Sequence, residues 1–65
     1  MTFADAEIQT AVLALQENLL LLEAHAYKAK GKKFTQHASK CRQRAAELCH
    51  KQNKIWQAVE EEDSQ

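Results

Sequence analysis

His37 and Cys41 stand four positions apart, the spacing at which two side chains of one helix share a face. An imidazole and a thiolate so placed are candidate ligands for a soft transition metal, and His25, on the segment that folds back beside them, is a third. Against a metal or redox site, Cys41 falls within an apolar stripe, where a free cysteine behaves as a small hydrophobe. The trio also lacks a C-x-x-C or H-E-x-x-H spacing, so the structural reading is preferred and no cofactor is expected. Cys49 beside His50 has the residue types of a nucleophile and its base. Helical neighbours point about 100° apart, however, which keeps that imidazole from the thiol. With no glycine-rich phosphate loop and no paired carboxylates around a pocket, the expectation is a non-enzymatic protein.

The basic residues are the stronger functional candidates. Lys28, Lys30, Lys32 and Lys33 surround the only glycine, and Lys40, Arg42, Arg44, Lys51 and Lys54 follow. Residues 28–54 hold all nine Lys and Arg against Glu47 alone, net +8. Residues 1–27 carry Asp5, Glu7, Glu17 and Glu23 and no Lys or Arg, net −4, and Glu60, Glu61, Glu62 and Asp63 add a further −4. A chain neutral on average is thus strongly segregated. Phosphate contacts need charge and no fixed motif, so the segment could hold RNA or DNA. Self-assembly is the favoured use, because two rods with opposite ends together set plus beside minus.

These residues must be positioned by helices. The chain has no proline, and Gly31 punctuates it once near the middle. Apolar residues recur at steps of four and three in Ile8, Val12, Leu15, Leu19, Leu22, Ala26 and Ala29, and again in Phe34, Ala38, Cys41, Ala45, Leu48, Ile55 and Val59, with Gln52 the polar interruption. Thr2 followed three residues later by Asp5 reads as a helix start. The fold expected is all-α: an antiparallel helical hairpin with one helix over about residues 3–29, a turn near Gly31, and a second helix over about 33–61, forming a single domain over 1–65 with a frayed acidic tail at 62–65. Position numbers at one level of such a hairpin have a constant sum, and Ala29 with Phe34, Leu22 with Cys41, Leu15 with Leu48 and Ile8 with Ile55 satisfy it. Gln52 and Asn18, polar groups beside the core, are expected to fix register at some cost in stability.

A 65-residue chain buries only roughly 60% of its unfolded surface and needs a supplement. Cys41 and Cys49 lie about 12 Å apart on one helix, beyond disulfide reach. Nothing resembles a signal peptide, and Leu19 to Leu22 is too short to span a bilayer. A cytoplasmic location with reduced thiols and no membrane association is expected. Oligomerisation remains, and a second stripe of Leu13, Leu20 and Tyr27 points to it. These three with Leu21, and Cys49 and Trp56 on the second helix, are the expected contacts of a homodimeric four-helix bundle. Trp56 serves equally well to close the open end of the hairpin.

In length, hairpin form and alternation of small and large layers, the whole chain resembles the Rop family of plasmid-encoded RNA-binding hairpins. The resemblance is architectural and implies dimerisation into a four-helix bundle. It carries no RNA-binding residue across, because helix 1 here has no Lys or Arg before Lys28. The expected function is a small interaction or regulatory module that binds itself and another protein, with a nucleic-acid-binding regulator as the alternative.

Overall fold

The structure, a computed structural model, describes residues 2–63. Helix α1 spans Phe3–Lys30, a single 3-10 turn spans Lys32–Phe34, and α2 spans Thr35–Asp63. The two long helices pack antiparallel as a hairpin whose Cα atoms occupy 51 × 15 × 9 Å, a rod one helix thick. Among the described residues no helix is long and apolar enough to cross a membrane.

The local chemistry sets the boundaries. Thr2 caps α1: its Oγ1 accepts a hydrogen bond from the Asp5 amide at 3.2 Å, and its carbonyl accepts from the Ala6 amide at 3.0 Å. Asp5 in the first turn and Lys28 and Lys30 in the last suit the helix dipole. Gly31 ends the helix at φ 123°, ψ 178°, a conformation that is essentially glycine's alone. A Cβ there would meet nothing within 4 Å, so the requirement is conformational. The chain then turns into α2 through the Phe34 amide, which donates to the Gly31 carbonyl at 3.1 Å. The Thr35 hydroxyl adds a bond to the Lys32 carbonyl at 2.7 Å. Helix α2 continues to Asp63, beyond the expected end; Ser64 and Gln65 of the expected frayed tail lie outside the described residues.

Small side chains make the seam. Ala6, Thr10 and Ala24 of α1 and Ala38, Cys41, Ala45 and Val59 of α2 are buried, and among the described residues no large side chain is fully buried. Two helices alone can cover only side chains this short; a larger one reaches past the line of contact to solvent. The Thr10 hydroxyl is satisfied inside its own helix by the carbonyls of Ala6 at 2.7 Å and Glu7 at 3.2 Å. On α2 the expected stripe faces α1 along its whole length, with Phe34, Leu48, Gln52 and Ile55 half-buried between the fully covered positions.

On α1 the expected face is wrong. Ile8, Val12, Leu15, Leu19 and Leu22, assigned to the hairpin seam, are 54–67% exposed, and Ala26 and Ala29 are exposed as well. The seam is instead Ala6, Thr10, Leu13, Glu17, Leu20, Ala24 and Tyr27, buried or half-buried and spaced by the same four-and-three rhythm. Leu13, Leu20 and Tyr27, assigned to a dimer contact, therefore pack within the chain. Ala24, not Leu22, meets Cys41, in a cluster with Ala38 and Tyr27. Helix α1 carries two heptad frames on nearly opposite faces. The frame of small residues admits the closer helix approach, and it also brings Tyr27 into a stack with Phe34, ring centroids 5.9 Å apart.

Candidate docking face

The outer face of α1 follows from that choice. With the small-residue frame turned to α2, the large aliphatic frame points away, roughly 150° round the helix. Ile8 is 66% exposed, Leu15 67% and Leu22 65%, with Val12 and Leu19 between them. Side chains four and three apart stand one above another, so the five form one continuous strip about 20 Å long. Near its amino-terminal end a shallow groove of about 310 Å³ opens between Ile8, Gln9, Val12 and Leu13. Leu21, also expected at the dimer contact, is 40% exposed and by helical rotation lies beside the α2 seam, away from the strip. Phe3, 62% exposed, tilts against Trp56 at 5.3 Å. Trp56 is half-buried and so closes the open end of the hairpin. Cys49 is a free, exposed thiol on α2.

Opposite the strip, an amide and a carboxylate meet across the seam. Gln52 Nε2 donates to Glu17 Oε1 at 2.9 Å and lies 3.4 Å from the Leu48 carbonyl. Both residues are half-buried. The frame through Ile8 and Leu22 places Val12 beside Gln52 and bypasses Glu17. The frame through Leu13 and Leu20 passes through Glu17, and this is the sequence signal that points to it.

The loop end gathers aromatic and basic groups. Tyr27 packs on Phe34 and also on His37, centroids 5.2 Å apart, while His37 meets Phe34 edge-on at 5.9 Å. Lys30 Nζ lies 5.5 Å from the Tyr27 ring centre and 5.8 Å from that of Phe34, and Lys33 Nζ lies 5.7 Å from Phe34, within cation–π range. On one side of this tip an open groove of about 490 Å³ is lined by Lys28, Lys32 and Arg42 with the hydroxyl residues Thr35 and Ser39. On the other side a smaller one, about 220 Å³, brings Glu23 beside His37, Lys40, Cys41 and Arg44. Lys51 and Lys54 line a third, separate groove farther along α2 with His50. The nine basic residues are thus dispersed over several surfaces and do not make one patch.

The candidate metal ligands are not assembled. Cys41 is buried in the seam, its thiol 3.8 Å from Glu23 Oε2, and the His37 ring is engaged by the two aromatics. Among the described residues no three His, Cys, Asp or Glu side chains converge to hold a metal ion. No protein-family model, curated protein or solved structure matches the chain.

Proposed function

We propose that the protein is a non-enzymatic docking module: α2 braces α1, and α1 offers its outer aliphatic strip to a helix of another chain. The exposure of Ile8, Val12, Leu15, Leu19 and Leu22 along one face carries this reading. Fully burying such a side chain contributes ~1.5–3 kcal/mol, or ~60–120 Å² at ~25 cal/mol per Å². At the exposures observed, each of the five retains about 1–2 kcal/mol to be gained, and together they leave about 300 Å² of contiguous apolar surface. A patch that size matches the largest on a typical monomer, which is often functional. The heptad spacing shapes it for a helix, which can set its own side chains between successive turns. The free thiols of Cys41 and Cys49 suit a reducing compartment such as the cytoplasm.

A photo-crosslinking residue at Leu15, compared with one at Gln43 on exposed α2, tests the reading in lysate of the source cells. Crosslinked products should concentrate at Leu15; equal yields at the two positions would refute a docking face on α1. A second reading, binding of an RNA or DNA backbone, is favoured by one observation only, the groove that sets Lys28, Lys32 and Arg42 beside Thr35 and Ser39.

A further inference from the structure

Resting on the docking reading, we infer that the occupant of the α1 strip is a second copy of this chain, packed antiparallel so that the two α1 helices form the middle of a flat, four-helix layer. The strip is self-complementary when reversed. In heptad terms Ile8, Leu15 and Leu22 occupy one core position and Val12, Leu19 and Ala26 the other, and antiparallel helices alternate the two across their seam. One register then sets Leu15 of each copy beside Leu19 of the other, Val12 beside Leu22, and Ile8 beside the small, exposed Ala26. The next register along would bury Asp5 against Leu22 and leave Ala26 unused.

Charge selects the same arrangement. Asp5 and Glu7 stand at one end of α1 and Lys28 and Lys30 at the other. In the chosen register Asp5 of one copy lies level with Ala29 of the other, between its Lys28 and Lys30. A parallel pair would put Asp5 beside Asp5 and lysine beside lysine. Such exposed pairs orient an assembly more than they hold it. An anionic membrane is a poor occupant, since α1 carries four carboxylates and no Lys or Arg before Lys28.

The area suits a weak dimer. Two strips of about 300 Å² give an interface of about 900 Å² in total if apolar atoms make up ~65% of it, as in homodimers. That is below the roughly 1,200 Å² of stable specific interfaces and within the range of weak, transient ones, so the dimer should be micromolar or weaker and dilution-sensitive. Because the strip lies opposite the α2 seam, each α1 is covered on both sides and α2 stays outermost. This geometry differs from a square bundle, in which all four helices share one centre.

The test uses full-length purified protein. Sedimentation equilibrium should show a reversible monomer–dimer system, and Leu15→Glu should raise its Kd at least about 100-fold by placing an unpaired charge in the seam. Its helical circular dichroism should be unchanged, because residue 15 is exposed in the single hairpin. Direction is read by a short bismaleimide in a Cys49→Ser background. Asp5→Cys mixed with Ala29→Cys should give crosslinked heterodimers, whereas Asp5→Cys alone should not, its two thiols lying about 36 Å apart along the axis. Crosslinking of Asp5→Cys alone would establish a parallel pair and overturn the proposal. A protein that stays monomeric at high micromolar concentration would overturn it too, while photo-crosslinks at Leu15 to a different protein would leave the docking reading standing.

Discussion

Replacing Gln52 with leucine should destabilise the hairpin, although a leucine at a seam position would ordinarily strengthen it. The amide donates to the Glu17 carboxylate at 2.9 Å. A hydrogen bond to a charged group contributes ~1.5–3 kcal/mol, of which about 1–2 remains here because both side chains are half-exposed and water competes. The leucine returns about 1 kcal/mol by half-burial. What turns the balance is Glu17, left half-buried without its donor. The expected net loss is about 1 kcal/mol, a fall in Tm of about 4–8 °C for a domain this small. Changing both residues to leucine removes the stranded carboxylate and joins the two sites into an apolar layer, so the double variant should melt at or above the wild-type temperature. The coupling between the sites should therefore be about 1–2 kcal/mol. Thermal melts followed by far-UV circular dichroism measure it, at one fixed protein concentration because assembly adds to apparent stability. If Gln52→Leu alone raised Tm, or if the two changes were additive, the bond across the seam would contribute nothing.

Three further outcomes follow from the geometry. Gly31→Ala should cost about 1–3 kcal/mol from backbone conformation alone, seen as a lower denaturant midpoint with an unchanged slope, since the added methyl touches nothing. Leu20→Glu should unfold the hairpin itself, with loss of helical signal even at dilutions where wild type is monomeric, because Leu20 lies in the α1–α2 seam; a folded monomer would show that the seam was wrongly assigned. If the groove of Lys28, Lys32 and Arg42 holds a nucleic-acid backbone, duplex DNA affinity should fall with salt at a log–log slope near −2.7 for three phosphates. The docking reading expects only weak binding near physiological salt, and tight, steeply salt-dependent RNA or DNA binding lost on Arg42→Glu would favour the nucleic-acid reading instead.

Two helices, the turn between them and the ends of α1 were legible in the sequence alone, whereas α2 starts and ends about two residues later than its pattern suggests. One glycine in a chain without proline could give only two helices, and Thr2, Asp5, Gly31 and the lysines around it set the boundaries through local hydrogen bonds and backbone conformation, which involve no distant residue. The sequence also determined which face of α2 is covered, because that helix has a single apolar stripe. For α1 it could not, since Ile8 to Leu22 and Leu13 to Tyr27 have the same heptad period, and periodicity reports that a face is apolar without saying what covers it. Only the packing of α1 on α2 decided between them. Small residues along both helices, Ala6, Thr10 and Ala24 on α1 and Ala38, Cys41 and Ala45 on α2, let the backbones come close, Tyr27 found its stack on Phe34, and Glu17 reached Gln52. The large aliphatic residues were thereby turned outward, where two helices have nothing left to cover them.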